Sequence, residues 1–332
     1  MNNKNFDFSL FYKTRFASIN ALPANDVYDI FISAYNDSER VKEVFAKMTA
    51  SKKHWLVLPQ YAYSQSELPS MASLSEELYL FDSTLSEGQI IRDYINRSGI
   101  DFTNLGKICI DITGFIRPHL VFLIRLLSQY DIKVDFIYTD PISYVKKEAT
   151  DFSYEYTEVR QINGCQGVHN PDTHNDWLVI GAGYDNNRIT DIAKDKANTK
   201  KVQLFGFPSL QPDMYQENIL KAYTAEEATS NGRESFIDPD STIFAPANDP
   251  FVTANVLKEF IQRENRKSPI SNLYLSPLST KVQTLGIALY YTTNCVNLNA
   301  SIVFPMCDKY SRETTEGISR IWKFTVDFSA LK

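Results

Sequence analysis

Residues 107–144 read KICIDITGFIRPHLVFLIRLLSQYDIKVDFIYTDPISY, and their pattern decides the fold. An apolar run over 108–112 leads into a tight Thr113-Gly114 turn, a helix opened by Pro118, and a second apolar run over 134–138. Short apolar runs on either side of a helix mark a βαβ unit in a parallel sheet covered on both faces. Such sheets bind ligands outside the carboxyl ends of their strands, so the turn after Ile112 is the first place to seek a site.

The same rhythm extends in both directions. Upstream, VYDIFISAYNDSERVKEVFAKM (27–48) reads as a strand ending at Ser33-Ala34, a polar turn with Asn36, Asp37 and Ser38, and a helix with Val41, Val44, Phe45 and Met48 at helical spacing. HWLVLPQYAYSQSELP (54–69) adds a strand stopped by Pro59, and 73–96 carries acidic and apolar residues at helical spacing, ended by Gly99. The first 25 residues suit an edge strand or an arm. Downstream, 145–175 alternates like a strand pair or hairpin, and the Asn170-Pro171-Asp172 turn is the expected boundary between halves 1–170 and 171–332.

The second half repeats strand, turn and helix. Run 177–180 precedes Gly181-Ala182-Gly183-Tyr184, and 202–205 precedes a helix beginning near Asp213. Run 242–245 precedes Asn248-Asp249 and a helix to Arg263, and 273–275 precedes Ser279-Thr280-Lys281 and an apolar helix through Tyr291. The closing strands, 300–304 and 318–328, are expected to pair antiparallel. The expected architecture is α/β, two Rossmann-like halves with mainly parallel sheets in which the six apolar runs from 108 to 275 are central strands. IFISAYNDSERVKEVF also echoes IFAPANDPFVTANVLKEF, and IDITGFIRPHLVFLIRLL echoes LSPLSTKVQTLGIALYY, which fits a pseudo-duplication as well as it fits repeated βα turns.

Composition narrows the function classes. The 332 residues are 43% hydrophobic and 22% charged, which excludes disorder, and no apolar run approaches the roughly 18 residues of a membrane span. The expected home is the cytoplasm. A formal net charge of −6 supplies no basic stripe for generic nucleic-acid binding. Cys109, Cys165, Cys295 and Cys307 form no CxxC pair and read as small buried hydrophobes; Cys165 with His169 and His174 fits no standard zinc spacing.

The polar turns supply the candidate ligand-binding residues. Thr113, Gly114 and Arg117 set a hydroxyl, free N–H groups and a guanidinium at a helix start, which suits a phosphate. Ser279, Thr280 and Lys281 offer the same chemistry without a Walker A loop. Asn36 with Asp37, and Asn248 with Asp249, could orient a ribose or base, although both residue types are ordinary helix caps. Gly181-Ala182-Gly183 lacks the third glycine of a dinucleotide fingerprint. Among Asp29, Asp37, Glu67, Glu76, Glu77 and Asp111, a carboxylate in a nucleotide pocket could cleave an N-glycosidic bond by stabilising an oxocarbenium-like centre.

IDITGFIRPHL and LYLSPLSTKVQTLGIAL resemble the strand-turn-helix ligand motifs of CRISPR-associated Rossmann (CARF) and related SAVED domains. That resemblance implies a nucleotide or cyclic-nucleotide ligand and a sensor or accessory subunit of a bacterial antiphage defence or signalling system, read by an effector or ATPase partner. YDIFISAYNDSERVKEVF resembles the first strand and helix of Toll/interleukin-1 receptor (TIR) domains. Some of these cleave NAD with a helical glutamate, for which Glu67, Glu76 and Glu77 are the candidates. Three expectations follow: a nucleotide sensor, an enzyme acting on a nucleoside or NAD glycosidic bond, or a structural interaction subunit.

Overall fold

The computed structural model describes residues 6–23, 25–144, 153–183, 185–210, 241–312 and 315–332, with residues 216 and 219. The helix expected near Asp213 and the stretch 145–152 lie outside these residues. The chain forms two compact units: a first unit of Phe11–Glu155 with Cys307–Lys332, and a second of Met1–Leu10 with Tyr156–Met306. This differs from one boundary at Asn170-Pro171-Asp172. The chain passes between units within β8 (Ser153–Gln161) and again within β13 (Ala300–Tyr310), where continuous strands carry no turn signal.

The first unit is a seven-stranded sheet. Its strands are β1 (Tyr12–Phe16), β2 (Tyr28–Ala34), β3 (Ala50–Val57), β4 (Glu76–Leu80), β5 (Ile108–Asp111), β6 (Lys133–Asp140) and β15 (Arg320–Asp327). They lie in the order β1-β15-β6-β5-β2-β3-β4. Strands β2 to β6 are mutually parallel, while β15 runs antiparallel to β6 and β1 antiparallel to β15. The helices are α1 (Glu39–Lys47), α2 (Glu87–Ser98) and α3 (Arg117–Leu127). A small ribbon pairs β7 (Ser143–Tyr144) with β14 (Thr315–Glu316).

The second unit has β9 (Trp177–Gly181), β10 (Lys200–Gly206), β11 (Thr242–Ala245) and β12 (Leu273–Pro277), in the order β11-β10-β9-β12-β13-β8. Strands β9 to β13 are parallel. Its described helices are α4 (Asn186–Asp195), α5 (Pro250–Lys267) and α6 (Lys281–Asn294). The N-terminal segment packs on α5, with the Lys258 ammonium donating to the Phe6 carbonyl at 2.7 Å.

Numbered by chain order, the five parallel strands of each sheet read 3-2-1-4-5, the order of one Rossmann half. The protein is therefore α/β with two Rossmann-like halves. Strands β5 and β9 are buried at every position, as a strand covered on both faces requires. The motif echo is half matched by topology: β5–α3 and β12–α6 hold the same fourth place, whereas β2 is central and β11 is an edge strand. The expectation of a central strand at 242–245 is thus corrected.

Two further expectations are corrected. Residues 73–96 are not one helix: Glu76–Leu80 pairs with β3, and a Ser86–Gln89 capping box starts α2 afresh. The closing strands do not pair, because β13 lies parallel beside β12 while β15 joins β6 over an eight-residue register. All four cysteines are free and buried. Among the described residues no helix is long and apolar enough to cross a membrane.

At the centre of the first unit a Cβ on Gly114 would lie 1.9 Å from the carbonyl oxygen of Ala34, whereas one on Gly99 would meet nothing within 4 Å. Gly114→Ala should therefore cost roughly 3 kcal/mol or more by urea denaturation, since backbone must move. Gly99→Ala, strained only by the left-handed backbone at its φ of 61°, should cost about 1 kcal/mol.

Candidate functional site

A 3-2-1-4-5 sheet changes direction between its first and fourth strands, and the crevice outside their carboxyl ends is the place a ligand can enter. In the first unit these strands are β2 and β5. Their ends are locked together: buried Asp111 accepts from the Ser33 hydroxyl at 3.0 Å through one oxygen and from the Thr113 N–H at 2.9 Å through the other. Gly114 rests against Ala34, and its carbonyl accepts from the Tyr61 hydroxyl at 3.0 Å. The Thr113 hydroxyl oxygen in turn accepts from the N–H of Thr139, at the end of β6, at 3.1 Å.

The loop after β2 lies beside this turn. Asn36 Oδ1 accepts from the Ser38 N–H at 3.1 Å, a local turn that starts α1. Asp37 exchanges hydrogen bonds with Tyr63, its N–H donating at 3.1 Å and Oδ1 accepting at 3.2 Å. Arg40, in the first turn of α1, donates from Nη1 to the Thr139 carbonyl at 2.6 Å. Helix α1 packs against β6, which sets Arg40 beside the carboxyl end of that strand. Arg117 is the first residue of α3 and acts electrostatically on the same tyrosines as Arg40, namely Tyr61 and Tyr138. Burial pushes the Tyr61 hydroxyl up to about 12, with both guanidiniums pulling the other way.

Beside them stands Asp140, 2% exposed. Its Oδ2 accepts from the Trp322 indole at 2.8 Å and lies 3.1 Å from Arg320 Nε. Burial raises its carboxyl to about 6 despite the lowering influence of Trp322, Arg320 and Arg40.

The two helices flanking this crevice differ from the other described α-helices. Ser86, Asp185, Asp249 and Thr280 each cap their helix with a side-chain oxygen, in α2, α4, α5 and α6. The N-caps of α1 and α3, Ser38 and Ile116, make no side-chain cap bond. The dipole ends at the β2/β5 switch point are thus left to other partners.

The second unit uses its predicted residues internally. At its switch point, β9 and β12, a Cβ on Gly183 would lie 2.2 Å from the Leu278 carbonyl and one on Gly181 would lie 2.7 Å from Ser279 Oγ. Thr280 caps α6 by accepting from the Gln283 N–H at 3.1 Å, and its hydroxyl donates to the Ala247 carbonyl at 2.7 Å. Asp249 caps α5 through the N–H groups of Phe251 and Val252, both at 3.1 Å. Asn248 and Lys281 are half-buried, and Lys281 begins α6. Tyr184 lies outside the described residues.

The predicted residues thus fall into two sets, one per unit. Asn36, Asp37, Thr113, Gly114 and Arg117 converge on the β2/β5 crevice; Ser279, Thr280 and Lys281 form one turn at β12, and Asn248 and Asp249 another after β11. Sequence reasoning passed over Arg40, Tyr61, Thr139, Asp140, Arg320 and Trp322. Thr139-Asp140-Pro141 was the available signal, a polar pair closing an apolar strand at its carboxyl end.

Three of the candidate carboxylates are taken up at the other end of the sheet, and Glu67 lies with Asp37 beside Tyr35. Asp29 accepts from the N–H groups of Gly106 and Lys107, Glu76 of β4 pairs with Lys53 of β3, and Glu77, also on β4, accepts from the Tyr79 hydroxyl. Glu67 is lowered to about 2 by the Ser64 N–H and hydroxyl, with Arg312 behind. His174 pairs with Asp172, and among the described residues no three His, Cys, Asp or Glu side chains are grouped to hold a metal ion. Comparison of the chain with protein-family models, curated proteins and solved structures returns no match.

Asp140 gives a signed pH dependence. Because its folded pKa is raised from 3.8 to about 6, its contribution to stability is full below pH 3.8 and is lost as pH rises through 6. Asp140→Asn removes that loss. Urea denaturation of both proteins should show the Asn variant gaining on the wild type between pH 4 and pH 7 by on the order of 3 kcal/mol. A constant difference would mean the carboxyl ionises like an exposed one.

Proposed function

We propose that the protein is a sensor or accessory subunit that binds a phosphorylated, nucleotide-type ligand at the β2/β5 crevice of the first unit. The observation that carries this reading is the pairing of two helix N-termini lacking side-chain caps with Arg40 and Arg117 in their first turns. Helix ends and guanidiniums together favour an anion, and Thr113 lies in the same turn. The motif resemblance of IDITGFIRPHL to CARF and SAVED ligand turns supports a nucleotide or cyclic nucleotide and a place in bacterial defence or signalling, with an effector or ATPase protein reading the bound state. The glycosidic-bond reading draws no support from Glu67, Glu76 or Glu77, which are engaged with Arg312, Lys53 and Tyr79.

One observation favours the structural-subunit reading. Tyr35, Trp55 and Tyr63 pack ring on ring at the carboxyl ends of β2 and β3, with Tyr35 5.4 Å from Trp55 and 4.9 Å from Tyr63. Calorimetry separates the two. ATP, NAD and cyclic AMP, together with native mass spectrometry for a retained small molecule, should reveal a bound nucleotide. Arg117→Ala and Arg40→Ala should each weaken binding roughly tenfold to a hundredfold, the loss of one charge-assisted hydrogen bond. Lys281→Ala should leave it within about threefold. A loss on Lys281→Ala alone would move the ligand to the second unit, and no retained molecule with no binding would favour the structural subunit.

A further inference from the structure

The crevice of the first unit contains polar atoms that its own chain leaves over. Thr139 is fully buried and Arg40 and Asp140 are more than nine-tenths buried, yet Arg40 Nε, Thr139 Oγ1 and Asp140 Oδ1 have no hydrogen-bond partner, nor has the buried Ser38 Oγ at the start of α1. Buried polar groups are normally paired, so the three leftovers on Arg40, Thr139 and Asp140 mark one place. They adjoin because the Arg40 guanidinium bonds the Thr139 carbonyl and acts electrostatically on Asp140.

The other buried carboxylate of this sheet end does not behave this way. Asp111 has a donor on each of its oxygens. Asp140 has Trp322 and Arg320 both on Oδ2, which fixes the plane of the carboxylate while Oδ1 receives nothing. An ionised carboxylate oxygen only accepts, so a phosphate oxygen cannot satisfy it, whereas a hydroxyl or amine can. Arg40 Nε, a donor, has the opposite need and suits the phosphate itself.

We infer that Asp140 is the specificity-determining residue of this site: Oδ1 accepts from a hydroxyl or amine that the ligand carries near its phosphate, so the site takes nucleotides in preference to bare polyphosphate. This rests on the anion site proposed above. A buried acceptor left unpaired by the wrong ligand discriminates more sharply than a missing apolar contact.

Calorimetry of the full chain at pH 7.5 tests it, with tripolyphosphate, ATP, GTP, CTP and UTP sharing one triphosphate and differing only in the nucleoside. Wild type should bind at least one nucleotide tenfold or more tighter than tripolyphosphate. Asp140→Asn should erase most of that preference while tripolyphosphate binds as before or slightly tighter, its repulsion by the carboxylate gone. For the preferred nucleotide, the 2′,3′-dideoxy form tests the sugar hydroxyls and a form without the base amine tests the amine; one of the two should lose the preference. The wild-type comparison needs no variant, so it stands if Asp140→Asn does not fold. Equal binding of tripolyphosphate and all four nucleotides overturns the inference, as does a preference unchanged in a folded Asp140→Asn. If tripolyphosphate binds and Arg40→Ala weakens it, that failure touches Asp140 alone; if neither tripolyphosphate nor any nucleotide binds at millimolar concentration, the anion site itself fails.

Discussion

The carboxyl ends of the first unit depend on the missing side chain of Gly114. Any Cβ there would fall 1.9 Å from the Ala34 carbonyl oxygen, so only glycine lets the turn after β5 lie flat on the end of β2. Beside that contact Asp111, the register partner of Ser33, bonds both Ser33 and the Thr113 N–H, and Thr113 bonds the end of β6. Remove the close approach and the hydrogen bonds that define the crevice lose their geometry together, because packed interiors absorb little displacement.

The two units answer the same topological problem in different ways. Each has a 3-2-1-4-5 sheet, and each brings the turns of its first and fourth strands together through glycine: Gly114 of the fourth-strand turn in one, Gly183 of the first-strand turn in the other. In the second unit Thr280 and Asp249 satisfy the helix ends with the chain's own oxygens. In the first, the helices at the switch point begin with Ser38 and Ile116, which do not. A fold shared by two halves therefore does not imply a site shared by two halves. The caps decide which helix end can still take an anion.

Much of this was legible in the sequence, and what was not has a physical reason. Apolar strand runs followed by helical patterns located β2, β3, β5, β6, β9, β10, β11 and β12, since a strand covered on both faces must be apolar throughout. Neighbour order was harder, because an edge strand such as β11 reads TIFA, as apolar as a central one. The acidic run at 73–96 blurred strand into helix, since β4 has only a short half-buried pattern. At the site, turn chemistry pointed to Thr113, Gly114 and Arg117 because their roles are local. Arg40, Asp140 and Trp322 meet only after β15, nearly two hundred residues further on, has joined β6, and no spacing along the chain records that contact.

Why a carboxylate should stand among the arginines of an anion site follows from electrostatics. The chain's net charge of −6 is spread over its surface, where salt screens beyond about 8 Å, so it scarcely opposes a cation held in a crevice. Arg40 and Arg117 with two helix ends would attract any anion of suitable size, and would do so more strongly without Asp140. Burying that carboxylate costs stability at neutral pH, since its carboxyl is pushed up to about 6. The cost gains affinity for nothing that carries only negative charge. It gains something only when the ligand brings a donor to Oδ1, and that asymmetry separates a general anion trap from a site that reads the organic part of its ligand.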